Sequence, residues 1–227
     1  MLQLVIGNKN YSSWSMRPWV LMRHFGLDFE ELKLRFDFDA DSAFYRDLAR
    51  YTPAGRVPVL LDEGFAVWDT LAIAERVAEL LPLQAVWPKA ARDRARARSL
   101  CAEMHAGFGA LRQHCPMNIE ASLPEVGARV LAEQPAVQRD LQRIAGMWSD
   151  ALHASGGPFL FGEFGAADAY YAPVVARVRG YGLPLPRPLQ DYAARVWASP
   201  GVAAWVADAL AERDFLDFEE PYRRAPG

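Results

Sequence analysis

Residues 54–73, AGRVPVLLDEGFAVWDTLAI, constrain what this chain can fold into more than any other stretch. Two short apolar runs, residues 57–61 and 65–68, flank Asp62-Glu63-Gly64, the pattern of a β-hairpin with a glycine in its turn. The second run passes into Asp69-Thr70 and then into apolar residues at helical spacing: Leu71, Ile73, Ala74, Val77, Ala78 and Leu81. The hairpin therefore delivers a carboxylate and a hydroxyl to the start of a helix. Unpaired backbone N–H groups and the positive end of the helix dipole favour an anion there. Pro58 lies inside the first run, where it has no N–H for a strand ladder, so it belongs at an edge or a bend. A cis Val57–Pro58 bond would turn the Val57 backbone outward toward a ligand. These residues together describe a binding site for an extended, peptide-like molecule.

The rest of the chain sets the limits. Its 227 residues allow one large or two small domains, and a 52% hydrophobic content supplies ample core. No apolar run approaches the ~20 residues of a membrane span, and the N-terminus lacks the basic and apolar regions of a signal peptide. The expectation is a cytoplasmic protein that does not engage a membrane. A formal net charge of -3 gives no basic field for nucleic acid, and the arginine run at 92–98 reads as a solvated helix face. Cys101 and Cys115, placed on one predicted helix, are too far apart to bridge and read as buried, inert thiols. His24, His105, His114 and His153 are scattered, and no spacing of metal ligands is present, so no metal is expected.

Two periodicities divide the sequence. Strands are expected at 2–6 and 29–34, helices at 14–25 and 42–50, and then the hairpin and the helix from Thr70. This βαβ-α-ββα order is the thioredoxin-like arrangement, whose first unit requires a parallel strand pair. A proline-punctuated segment, 82–91, reads as a linker between a domain at 1–81 and an all-helical domain at 92–227. Helices are expected there at 92–114, 125–154, 166–180, 188–198 and 201–213.

The hairpin motif, with Val57-Pro58 and Asp69-Thr70, resembles the glutathione transferase superfamily. Its members carry a Val-Pro pair with a cis bond and a Glu/Gln-Ser pair at the next helix. The α/β-then-helical plan extends the resemblance over essentially the whole chain. Phe161-Gly-Glu-Phe-Gly-Ala-Ala-Asp168 is similar to the family's N-capping segment, with Asp168 reaching back as the acid of a capping box. Here the cap position is Gly165, without a hydroxyl, and the glycine spacing is one residue short, so Asp168 reads as structural.

The resemblance implies glutathione as co-substrate, a small electrophile as the second substrate, and a homodimer. A free thiol near pKa ~8.5 is mostly protonated at neutral pH, so such an enzyme must stabilise the thiolate with a hydrogen-bond donor. The segment Asn10-Tyr11-Ser12-Ser13-Trp14-Ser15-Met16-Arg17-Pro18, between the first strand and first helix, resembles the Ser-Ser-Cys stretch of zeta-class enzymes, including maleylacetoacetate isomerases. Ser12 takes the place of the activating serine, Ser13 that of the second, and Trp14 replaces the cysteine. Tyr11 competes, because other classes use a tyrosine hydroxyl. Both serines also suit simple helix capping. Arg17 is placed either to serve the site electrostatically or to form an ion pair. Val57 and Pro58, Asp69 and Thr70 are the expected glutathione contacts. Arg56 and Lys33 are candidate cations for its carboxylates, and His105, on a stripe with Met104, Phe108 and Leu111, is a candidate for the electrophile pocket. The implied function is a glutathione transferase; the alternatives are a cis–trans isomerase of maleyl compounds and a non-catalytic binding or regulatory module.

Overall fold

A computed structural model describes residues 1–225. Strands β1 (Leu2–Ile6) and β2 (Glu30–Lys33) run parallel and are joined by α1 (Ser13–His24). After α2 (Ala43–Leu48) come the hairpin strands β3 (Val59–Asp62) and β4 (Phe65–Val67), then α3 (Thr70–Leu80). The sheet order is β2-β1-β3-β4, with β3 antiparallel to both its neighbours, which is the thioredoxin-like arrangement expected.

Strand periodicity assigns the two faces. Leu4, Ile6 and Leu60 cluster with Met16, Val20, Ile73 and Val77 of α1 and α3. Val5, Val59 and Leu61 face the other way, against Phe36 and against Phe44 and Leu48 of α2. The hairpin turn places Glu63 at φ 50° and Gly64 at φ 87°, the two successive positive angles that tight hairpin turns need. Strand β3 begins two residues later than the apolar run at 57–61 suggests. The Val57–Pro58 bond is cis and lies just ahead of the strand, where no ladder donor is required.

Ten helices are described in all, and those after α3 are α4 (Ala91–Ala106), α5 (Gly109–His114), α6 (Pro124–Glu133), α7 (Pro135–Ser155), α8 (Ala166–Tyr181), α9 (Arg187–Ala198) and α10 (Pro200–Glu212). Two of the expected helices are each divided. The helix expected over 92–114 breaks at Gly107, which is extended, and Phe108, at φ 55°. Met104, Phe108 and Leu111 keep helical spacing across the break, so the pattern reads through it. Cys101 and Cys115 consequently do not share one helix: Cys101 lies in α4, and Cys115 follows α5. Both are buried, and burial raises both thiols, Cys115 to about 11. The helix expected over 125–154 divides at Gln134, because Pro135 disfavours helical geometry in the residue before it.

Helix α1 joins the two halves, packing on α3 from one side and on α8 and α10 from the other. A Cβ at Gly201 would stand 2.6 Å from the Val20 carbonyl oxygen, so the approach of α10 to α1 needs glycine there. After α10 the chain returns to the sheet. Arg35 donates to both Asp214 oxygens at 2.8 and 2.9 Å, and Leu216 enters the cluster of Val5, Phe36 and Val59. Among the described residues, no helix is long and apolar enough to cross a membrane.

Candidate functional site

A cleft of about 950 Å³ opens between the start of α1, the β3–β4 hairpin with the start of α3, and the helical half. Its first wall is the loop that enters α1. Ser12 caps this helix: its Oγ accepts the Ser15 N–H at 3.3 Å and lies 2.7 Å from Ser15 Oγ. Ser15 Oγ in turn accepts the Gly7 N–H at 3.2 Å, so a line of hydroxyls runs from β1 to the cleft. Ser13 is the first residue of α1 and also lines the cleft; among the described residues its hydroxyl makes no hydrogen bond. Tyr11 contributes its ring, but its hydroxyl is held by the C-terminal segment. It donates to Glu220 Oε1 at 2.7 Å and accepts the Leu216 N–H at 3.2 Å. Burial, outweighing the Leu216 bond, pushes this phenol up to about 12.

The second wall is the hairpin. Val57 is half-buried, and among the described residues its backbone enters no hydrogen bond within the chain. The Trp68–Asp69 bond is also cis. Asp69 caps α3, Oδ1 accepting the Leu71 N–H and the Thr70 hydroxyl, each at 3.1 Å. Thr70 is buried and accepts the Tyr170 hydroxyl at 2.7 Å, which ties the hairpin to α8. Arg56 is exposed at the cleft edge just before the cis bond. Lys33 is not brought to the cleft; it pairs with Glu212 of α10 at 3.2 Å.

The helical half closes the third side. His105 Nε2 lies 3.4 Å from Asp69 Oδ2, its ring meets Trp14 edge-on at 5.0 Å, and its Nδ1 is buried without a partner. Met104, Phe108 and Leu111 belong to the buried core rather than to the cleft lining. Arg112 and Arg177 do reach the cleft, with Glu219 of the C-terminal segment, and sequence reasoning missed all three. No local pattern marks them, since they come from separate elements. Arg17 is 1% exposed and, among the described residues, forms no ion pair; its guanidinium lies over the rings of Trp14 (4.1 Å) and Tyr170 (4.9 Å).

Asp168 sits apart from this chemistry. It is buried at the start of α8, where Oδ2 accepts the Gly165 N–H at 3.0 Å. Oδ1 accepts the Leu160 N–H at 3.2 Å and the Tyr192 hydroxyl at 2.9 Å. Burial raises this carboxyl to about 6 against the opposing pull of those three donors. Among the described residues no group of His, Cys, Asp and Glu is placed to hold a metal ion.

The arrangement offers an anion a helix start, a free backbone edge and a hydroxyl pair, all within one cleft. Comparison with known proteins agrees with the fold. The glutathione S-transferase N-terminal domain matches residues 11–80, and the glutathione S-transferase C-terminal domain matches residues 89–208. A maleylacetoacetate isomerase from Rattus norvegicus is 24% identical over 174 residues, 76% of each chain. Among solved structures, a glutathione transferase homolog from Burkholderia GL BGR1 with bound glutathione superposes with TM-score 0.69 at 24% identity, covering 92% of this chain and 98% of that one. A tau-class glutathione S-transferase from mango, Mangifera indica, gives 0.68 at 20% identity, covering 93% and 96%. With both halves matched in order along one chain, this protein belongs to the glutathione S-transferase family.

Proposed function

We propose that the cleft binds glutathione and that the protein transfers its thiolate to a small electrophile. The chain then works as a glutathione-binding half at 1–81, a linker at 82–91 and a helical half that supplies the electrophile wall. The observation that carries this reading is the placement of the Val57 backbone and the Asp69–Thr70 helix start opposite Ser12 and Ser13. An extended tripeptide would pair with Val57, place its γ-glutamyl carboxylate at the α3 N-terminus and its glycyl carboxylate near Arg56. Its sulfur would then reach the start of α1.

Thiolate stabilisation falls to the serines. Within the chain the Ser12 hydroxyl donates to Ser15 Oγ; turned toward the bound sulfur it donates to the thiolate instead, and Ser15 keeps the Gly7 N–H. Ser13 supplies a second, unengaged hydroxyl. Tyr11 is spent on Glu220 and Leu216 and has a structural part.

The similarity to a maleylacetoacetate isomerase supports a second reading, in which glutathione adds to a cis double bond and leaves again. Trp14, standing where the zeta-class motif has cysteine, separates this chain from that pattern. Ultraviolet titration of the glutathione complex tests the proposal. Thiolate absorbance appearing about one to two pH units below that of free glutathione is expected. Binding without thiolate formation would replace the transferase with a non-catalytic module. We also take the protein to be a cytoplasmic two-fold dimer, the commonest closed assembly. Light scattering at micromolar concentration should give twice the chain mass.

A further inference from the structure

We propose that the electrophile carries a carboxylate, held by Arg112 of α5 and Arg177 of α8 across the cleft from the α1 serines. This rests on the glutathione reading above.

The two guanidiniums present unclaimed donors to the cleft. Arg177 is 4% exposed, and two of its nitrogens are fixed: Nε donates to the Cys115 carbonyl at 2.9 Å and Nη1 to the Pro173 carbonyl at 3.1 Å. Among the described residues Nη2 makes no hydrogen bond, and the residue lines the cleft. Arg112 lines the same cleft with a buried, unpartnered Nε and forms no ion pair among the described residues. Behind them, Arg17 is buried with all three guanidinium nitrogens unpartnered. Two other arginines, Arg98 and Arg143, lie in close ion pairs, with Glu75 at 2.7 Å and Glu103 at 2.6 Å. This cluster is the contrast.

The three charges act on one another. After burial, Arg17 and Arg112 are the causes that hold Arg177 down, to about 9, and Arg112 also lowers Arg17, which burial brings to about 10. The carboxylates that face the cluster are Glu219 and Asp69, both of which line the cleft; Asp69 acts on Arg17 and lies 3.4 Å from His105, and among the described residues neither forms a salt bridge with the three arginines. Uncompensated buried charge is costly, and an anion bound in the cleft offsets that cost. The planar guanidinium fork matches the two oxygens of a carboxylate. Glutathione's own carboxylates are provided for at the α3 N-terminus and Arg56, which leaves this cluster for the second substrate.

A suitable probe is 4-chloro-3-nitrobenzoate. The thiolate sulfur attacks the ring carbon bearing chlorine, the C–S bond forms, and chloride leaves with the bonding pair. The proton of the thiol goes to solvent. Calorimetry with the product, S-(4-carboxy-2-nitrophenyl)glutathione, against its carboxamide analogue, isolates the charge. Wild type should bind the carboxylate at least tenfold more tightly. Arg112→Met should cut that preference to within about twofold while leaving the affinity for glutathione itself unchanged. Arg177→Met should do the same; if it fails to fold, having lost its two carbonyl bonds, Arg112→Met decides. Equal wild-type affinity for the two conjugates, or a preference that survives Arg112→Met, overturns the proposal. Should glutathione not bind at all, the function proposed above fails separately. Titration of 4-chloro-3-nitrobenzoate alone then decides the anion site, which stands only if binding depends on Arg112.

Discussion

Helices α1 and α8 both begin with a side chain that satisfies the orphan N–H groups of a first turn, yet only one of these starts is open to a ligand. At α1, Ser12 accepts a single N–H at 3.3 Å and the position borders a cleft. At α8, Asp168 is sealed in the core and committed to Gly165, Leu160 and Tyr192. The chemistry of capping is shared, and solvent access separates the two roles. A cap whose acceptor capacity is saturated by the protein is structural, whereas a cap with unclaimed neighbours, as at Ser13, can serve a ligand. Asp69 lies between these cases: it caps α3 and remains exposed to the cleft.

The sharpest way to break this contrast is Asp168→Ala, which would leave three donors unpartnered in the core. A stability loss of about 3–5 kcal/mol is expected from the penalty of unsatisfied buried donors. A urea-denaturation loss below about 1 kcal/mol would remove the structural assignment. The titration of Asp168 gives a related, smaller effect. Its folded pKa of about 6 lies above the ordinary aspartate value of 3.8, so the folded state holds the proton more tightly. Its contribution to stability is full below the unfolded pKa and is lost as pH rises through about 6. At ~1.4 kcal/mol per unit, that loss is on the order of 2–3 kcal/mol. Since Asp168→Asn does not titrate, the stability advantage of wild type over that variant should be larger at pH 4 than at pH 7; an advantage that grows with pH would reverse the sign.

At the open starts the expected effects are on ligand rather than fold. Asp69→Ala combined with Thr70→Ala should weaken glutathione binding at least tenfold by calorimetry, charge-assisted hydrogen bonds being worth ~1.5–3 kcal/mol each. Unchanged affinity would move the γ-glutamyl contact elsewhere. Ser12→Ala should raise the thiol pKa of bound glutathione by about one to two units, or ~1.4 kcal/mol per unit, with affinity for the thiol form nearly constant. Ser15→Ala, acting only through Ser12, should shift the same titration less, and Ser13→Ala measures the share of the free hydroxyl. Tyr11→Phe should lower stability by about 1 kcal/mol through its lost bonds to Glu220 and Leu216 and leave the titration in place. A shifted titration in Tyr11→Phe alone would return thiol activation to the tyrosine.

The parts of this molecule that were readable in advance are those with short-range causes. The hairpin, its glycine turn, the Asp69 cap and the Asp168 box all depend on residues within a few positions of one another. The breaks at Gln134 and at Gly107-Phe108 were misread because apolar spacing continues across both, although Pro135 offered a usable signal. Lys33 and Arg56 looked alike as candidate cations. Only the packing of α10 against the sheet half claims Lys33 for Glu212 and leaves Arg56 at the cleft.

The thioredoxin-like order of the first half and the polar residues at the starts of α1 and α3 are legible in the chain because hydrophobic periodicity, turn chemistry and capping are local. The tertiary structure alone decided which hydroxyl is free. Tyr11 is taken by Glu220 and Leu216 from the far end of the chain, while among the described residues the Ser13 hydroxyl makes no hydrogen bond. It also brought Arg112 and Arg177 to one cleft from separate helices, with Arg17 of a third helix buried close enough to act on Arg177. Such a cluster leaves no trace in local spacing, since its charges meet only when the helices pack.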